Sequence, residues 1–337
     1  MIRTLLAGTA VAAMAVTGAA AQEFTLRIQT HFSAESLSGR NAAEFFDDVQ
    51  TMTGGRVVIE PFYSSAVVKS VETFDAAING ILDGDMTGAA YQTGKDPAFQ
   101  FIGDPMGGYD TPWEMYAWLY YGGGLEKARE LYEGYNMFLV GWWIPGPESL
   151  ASSEPLEDSS AFQNWKFRSP PGMQTKIFEN LGASPIVMDF TEVFTALESG
   201  IISGADASNL ATNLSIGVYD IVNHATYPGF HSMPADHLAI NLDVWNSMPE
   251  DIQRVIEVAM QKLSFQTSLS GMVEIQEAAQ TLKDQGVVLH DWSPESRSAY
   301  REAAISAWED FATTEISQEI IAMHQDFQRK IGLLGNE

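Results

Sequence analysis

The 337-residue chain predicts an α/β fold. Two lobes close on each other as a clamp, and a long C-terminal helix spans both. Three observations predict this. Strand-like and helix-like segments alternate through most of the chain, which argues for mostly parallel sheets layered with helices. Two punctuated stretches, Ile144-Pro145-Gly146-Pro147 and the return marked by Pro228-Gly229 and Pro234, break that rhythm and read as crossovers between lobes. Apolar residues from Ile252 onward keep helical spacing to Gln285, a helix of about 36 residues and about 50 Å, too long for one lobe.

The elements follow in order. Residues 1–21 read as an export signal cleaved after Ala21: Arg3 gives the positive start, Leu5 to Val16 the short apolar core, and Ala19-Ala20-Ala21 the small-residue site. Phe24–Gln29 alternates as a strand, and Gly39–Thr51 places Ala42, Phe45, Phe46 and Val49 on one helical face. After the Gly54-Gly55 break, Val57–Ile59 is extended. Val71–Leu82 reads as a helix and Asp85–Ala90 as a short strand. Thr111-Pro112-Trp113-Glu114 is a helix start with hydroxyl cap, proline and returning glutamate. Met137–Trp143 is an apolar strand. A second α/β unit runs from Trp165 to about Tyr227, and His237–Leu242 is a strand shared with the first unit. Ser247-Met248-Pro249-Glu250 reads as a capping box for the long helix. Gly286 closes that helix, Val287–His290 is a strand, and Ser293-Pro294 starts the last helical region. The lobes are then 22–145 with about 234–270, and 146–233 with about 271–337.

Composition excludes several functions. There is no cysteine, so an exported chain of this kind relies on core burial, and thiol catalysis and thiolate metal sites are ruled out. The net charge is −26, and losing the signal removes only Arg3, leaving 17 basic against 44 acidic residues and −27. Such a surface repels nucleic acid and anionic membranes. No later segment reaches about 18 uninterrupted apolar residues, so no membrane insertion is expected after cleavage. No metalloprotease, nucleophile-elbow, Walker or dinucleotide fingerprint appears. Glu192 and Glu198 lie six apart on a helix and do not share a face well enough to act as an acid–base pair.

The most informative stretch is 164–210. Arg168 ends a short apolar strand just before Ser169-Pro170-Pro171-Gly172, and a second strand ends at Ala205-Asp206. Ligands in open α/β folds sit at the carboxyl ends of strands, and a guanidinium matches a carboxylate or sulfonate with two parallel bonds. Other residues fall near that point. Asn209 could bond a ligand hydroxyl. Trp142 and Trp143 with Glu148 and Asp206 could cage a quaternary ammonium or sulfonium group. Lys69 reads as solvated. His231, Asp236 and His237 have no known ligand spacing.

KFRSP, followed by LGASPIVMDFTEVFTALESGIISGAD, resembles the solute-binding subunit of a TRAP transporter, the DctP-like family. YPGFHSMP resembles its branch for small 2-oxo and 2-hydroxy acids. The likeness runs from LRIQTHF to the last long helix. It implies a periplasmic-binding-protein-like clamp in the periplasm, serving small and large membrane subunits. It implies that Arg168 pairs with the ligand's carboxylate and that Tyr91 contacts the ligand. His31 then faces the ligand, and Phe230 and His231 lie where the hinge strands pass the cleft. In that branch the position of Asp206 helps bind a metal ion together with the backbone of a following tryptophan, here Ala207, and an upstream glutamine, here matched by Glu148. A Na⁺ or Ca²⁺ ion bridging ligand and protein is thus implied, though none is required. One arginine, not two, argues against sialic acid and C4-dicarboxylates and for a monoanion: a 2-oxo or 2-hydroxy monocarboxylate, a sulfonate, or a zwitterionic betaine or sulfonium carboxylate. An exported metal-assisted hydrolase using His231, Asp236 and His237 is the alternative of another class. A binding lobe that serves a sensor is not separable from a transport subunit by sequence.

Overall fold

The computed structural model describes residues 22–334, so the export-signal reading lies outside it. The chain builds two mixed sheets. The first has the order β2-β1-β3-β10-β4, from β1 (Phe24–Thr30), β2 (Val57–Phe62), β3 (Gly84–Met86), β4 (Met137–Trp143) and β10 (Asp236–Asn241). Strands β1, β2 and β3 are parallel, whereas β10 runs antiparallel to both β3 and β4. The second has the order β11-β9-β5-β8-β6-β7, from β5 (Ala151–Ser152), β6 (Lys166–Ser169), β7 (Ser184–Val187), β8 (Gly204–Ala205), β9 (His224–Thr226) and β11 (Val288–His290). Each sheet anchors one lobe of a two-lobed α/β clamp.

Local chemistry explains most elements. Helix Leu37–Met52 is capped by Ser36, whose hydroxyl accepts from Gly39 N, and it buries Ala42, Phe45, Phe46 and Val49. Helix Pro112–Tyr121 starts with the expected reciprocal cap between Thr111 and Glu114. Three expectations need correction. The segment predicted as one helix from Val71 is a 3₁₀ turn, Ser70–Glu72, followed by Thr73–Ile78, and Gly80 at φ 71° turns the chain away. Strand β3 stops at Met86, and Ala89–Gln92 forms a tight turn instead. The capping box at Ser247 does not form: Ser247 is still inside helix Leu242–Ser247, so its hydroxyl bonds back to Val244 O and the long helix starts after Pro249.

That helix, Glu250–Asp284, packs on β4 and on Leu37–Met52 in the first lobe, and on Leu210–Ser215 and β11 in the second. Small residues let it press on the first crossover. Ser268 Oγ donates to Ile144 O at 3.0 Å, Ser264 Oγ donates to Trp142 O, and a Cβ on Gly271 would stand 2.5 Å from Pro145 O. The two crossovers also pair, with Glu148 N donating to Ser232 O at 2.9 Å. The end of the chain departs from the expected lobe division. Helix Glu315–Ile331 packs on the first lobe, where His324 bonds Tyr109 Oη at 2.7 Å and Phe101 O at 2.9 Å. The reason is its apolar face, Ile320, Ile321 and Phe327, which joins the first lobe's aromatic cluster.

A helical glycine replaced by alanine ordinarily gains about 1 kcal/mol of helix propensity. At Gly271 the added methyl meets backbone that cannot yield, and overpacking costs about 1–3 kcal/mol. Gly271→Ala is therefore expected to lower the melting temperature, whereas Gly94→Ala, which meets nothing within 4 Å, leaves it unchanged. An unchanged or raised melting temperature for Gly271→Ala would show that the helix is not pressed against the crossover.

Candidate functional site

Arg168 is 2% exposed although it carries a full charge. Strand β6 lies between β7 and β8, and its Phe167, Arg168 and Ser169 are all buried. The guanidinium is pinned by two carbonyls: Nε donates to Met188 O at 3.2 Å and Nη1 to Asp206 O at 2.6 Å. Nη2 donates to no described residue and lies in a cleft of about 50 Å³ between the lobes. Two carbonyl dipoles orient a guanidinium but do not neutralise it, so an anion arriving at the free edge gains a charge-assisted pair in a low-dielectric place. Tyr91 stands within hydrogen-bonding reach of Arg168, and burial raises its phenol above the ordinary range despite that positive neighbour. His31 lines the same cleft beside Tyr91 and Phe190, with ring centroids 5.8 and 5.1 Å away. Burial drops its imidazole to about 3, so it is neutral, and Nδ1 has no partner.

Three carboxyl groups also reach the wall. Asp104, Glu148 and Asp236 line the cleft, and Asp206 lies buried behind Arg168. Burial pushes Glu148 up to about 8, with the charge of Asp206 adding to it. Asp104 is raised to about 7 by burial, against hydrogen bonds from Ser232 and Met233. Asp206 is raised to about 7 by burial, against the pull of Arg168. Asp236 stands well above the usual carboxyl range through burial and the charges of Glu148 and Asp85.

Glu148, Asp206 and His231 bring donor atoms within 4.8 Å of one another. Asp206 Oδ1 and both nitrogens of His231 lack hydrogen-bond partners, since His231 Nε2 lies 3.1 Å from Oδ1 but out of line. Burial lowers His231 to about 4, leaving a neutral ring. These atoms fit a cation by charge. As a cage for Na⁺ or Ca²⁺ they fit poorly. Such hard ions take about six to eight oxygens, and here one donor is nitrogen while Asp206 Oδ2 already accepts from Gln174.

The structure thus brings Arg168, Tyr91, His31 and Glu148 to one cleft, with Asp206 behind them. Trp142, Asn209 and Phe230 do not join them. Neighbouring residues on a strand face opposite ways, so Trp142 stacks on Trp118 at 5.8 Å while Trp143 packs edge-on to Phe32 at 5.7 Å, and both are fully buried. The tryptophan cage therefore does not assemble. The Asn209 amide is spent on backbone, accepting from Thr212 N at 2.9 Å and donating to Pro145 O at 3.0 Å. Phe230 packs on Trp292 under Arg297 in a neighbouring cavity of about 320 Å³. His237 is closed on both sides, by Tyr132 Oη at 2.7 Å and Asp85 Oδ2 at 2.9 Å, so His231, Asp236 and His237 do not converge. Sequence reasoning missed Asp104 and Gln174. Gln174 follows the Arg168 strand by one turn of the next helix and could have been found there; Asp104 gave no signal.

On the far rim the lobes are tied directly. Asp189 Oδ2 accepts Ser70 N at 2.8 Å and Oδ1 accepts Ser70 Oγ at 3.0 Å. Asp189 also takes bonds from Thr191, and together these outweigh burial and hold its carboxyl below the usual range. Lys69 pairs with Glu192 nearby at 3.1 Å, but both are exposed and such a pair is screened.

Comparison with known proteins places this geometry. The sequence model of the family described as "Bacterial extracellular solute-binding protein, family 7" (DctP) matches residues 28–315. A "Monocarboxylate 2-oxoacid-binding periplasmic protein" of Nostoc sp. is 25% identical, covering 84% of this chain and 78% of that one. A TRAP periplasmic solute-binding protein from Rhodobacter sphaeroides, in an apo open structure, is 32% identical over 93% of this chain and all of that one, with a TM-score of 0.73. One from Pseudoalteromonas atlantica, with bound sodium and pyruvate, is only 23% identical over 93% and 96%, yet its TM-score is 0.82. The chain belongs to this family.

Asp189→Ala leaves the Ser70 N–H without its acceptor across the lobes and leaves Ser70 Oγ only Ser65 Oγ at 2.9 Å, a loss felt only in the closed state. Hydrogen bonds to charged groups are worth about 1.5–3 kcal/mol, so ligand affinity should fall about tenfold or more by calorimetry, with the unliganded melting temperature little changed. Thr191 within the lobe and Ser70 across it together hold the carboxyl below its ordinary pKa, so the Ser70 contribution to closure is full above the usual aspartate range and is lost as pH falls through the depressed value. An affinity equal to wild type would remove this seam from the closing mechanism.

Proposed function

We propose that this chain, as the solute-binding subunit of a TRAP transporter, captures a small organic acid bearing one carboxylate, by closing its lobes on a group held at Arg168. It then delivers the acid to the small and large membrane subunits from the periplasm. The observation that carries this is the buried guanidinium of Arg168, fixed by two carbonyls and open on one edge to the cleft. Ligand binds the shut form better than the open one and so shifts that equilibrium. Capture needs no bond to be broken, and the cleft presents no nucleophile paired with a base, which supports a binding role over catalysis. A single arginine supports a monoanion, and a 2-oxo or 2-hydroxy monocarboxylate agrees with what the Nostoc relative is named for. A sulfonate would satisfy the same fork. The poor oxygen cage at Glu148 and Asp206 supports binding that does not depend on Na⁺ or Ca²⁺.

Arg168→Ala is expected to abolish ligand-induced thermal stabilisation while the variant still folds, because it removes a desolvated charge as well as the anchor. Arg168→Lys keeps the charge but loses the fork and should retain only weak binding. A wild-type thermal shift in the alanine variant would sink the assignment. Chelation or omission of Na⁺ should change affinity only modestly; complete loss of binding would establish an obligatory ion.

A further inference from the structure

Shutting the lobes gathers more carboxyl groups than basic ones. Among the described residues, Arg168 is the only lysine or arginine lining the cleft, against Asp104, Glu148 and Asp236. The two histidines nearby are neutral. Asp104 is satisfied by Ser232 and Met233. Asp236 is not: it is 3% exposed, opens β10, and its carboxyl accepts no hydrogen bond from a described residue. Its Oδ1 and the Tyr91 ring both lie 3.6 Å from where a Cβ would stand on Gly88, and Tyr91 and Arg168 line the same cleft. Asp236 and Arg168 therefore face one small space from different lobes, with the Tyr91 ring between them. Asp236 belongs to the first sheet and Arg168 to the second. His31, whose Nδ1 is buried and unpartnered, lines the same cleft.

We infer that the ligand is a small zwitterion, whose carboxylate meets Arg168 and whose N–H-bearing cation, an ammonium or amidinium, meets Asp236 and Glu148. This rests on the carboxylate reading of Arg168. A simple monoanion would engage Arg168 in one lobe only and leave the Asp236 carboxyl without a hydrogen-bond donor in a desolvated place. A zwitterion bonds both lobes at once, so each ion pair forms fully only when the lobes shut, and binding energy goes into closure. The cation carries N–H groups because Asp236 lacks a donor. A quaternary ammonium would need the aromatic cage that Trp142 and Trp143, packed in the core, do not form.

The test is calorimetry on the full mature chain, stripped of ligand by unfolding and refolding, with matched pairs of acids: β-alanine and propanoate, γ-aminobutyrate and butyrate, guanidinoacetate and isocaproate. Pyruvate and lactate, each with and without Na⁺ or Ca²⁺, complete the panel. At least one amine-bearing acid should bind about 100-fold or more tightly than its partner, because a buried polar site rejects an analogue that leaves it unpaired. Asp236→Asn, with Glu148→Gln as a second variant, should weaken that ligand at least tenfold while narrowing the gap to its amine-free partner. Equal or tighter binding of the amine-free acid or of pyruvate, dependent on Arg168, would overturn the zwitterion and keep the carboxylate reading. Binding of pyruvate or lactate only with added ion would overturn it in favour of a metal. No binding by any acid in either half would sink both.

Discussion

The buried guanidinium of Arg168 sets the terms for the rest of the molecule. A charge at 2% exposure must be compensated, and here two backbone carbonyls hold it without neutralising it. That leaves a site which is oriented before ligand arrives and incomplete until it does. The strands on either side exist to make this posture rigid. Strand β8 supplies the turn whose carbonyl fixes Nη1, and β7 ends at the carbonyl that fixes Nε. The same burial that makes an anion welcome makes nearby carboxyls costly, which is why Asp104, Glu148 and Asp206 all stand far above ordinary values.

A clamp needs a joint that bends and a frame that does not. The two crossovers bond to each other through Glu148 and Ser232, and Gly229 is forced to be glycine because a Cβ would stand 2.2 Å from Glu148 O. Along one side runs the helix Glu250–Asp284, whose Ser264, Ser268 and Gly271 let it sit on the backbone of the first crossover. Helix and crossovers thus form one seam, and the acid Glu148 that lines the cleft is itself part of the hinge. On the proposed reading, a ligand group meeting Glu148 acts directly on the backbone where the lobes join and needs no longer pathway.

Much of this was legible in the sequence because its signals are local. Arg168 at a strand end before Ser-Pro-Pro-Gly, the capped start at Thr111 and the long apolar periodicity after Ile252 each depend on neighbours a few positions apart. What was not legible depended on distant partners. Two adjacent tryptophans at the end of an apolar strand suggest a cage, but Trp118 and Phe32 claim one face each. Asn209 near Asp206 suggested a ligand contact until helix Leu210–Ser215 took it as its cap. The last helix carried no mark of its lobe, since a single apolar face can dock on either. Asp236 had been grouped with two histidines by proximity in sequence; strand alternation instead turns it to the cleft and His237 into the core.

The central claim is that the acid group of the ligand completes the coordination of Arg168 between shut lobes. A crystal structure of the protein purified with its own ligand tests it most directly. The account predicts density in the cleft with an acidic oxygen about 2.7–2.9 Å from Arg168 Nη2, and Ser70 still bonded to Asp189. A ligand lodged elsewhere, with Nη2 left to water or to protein alone, would contradict it.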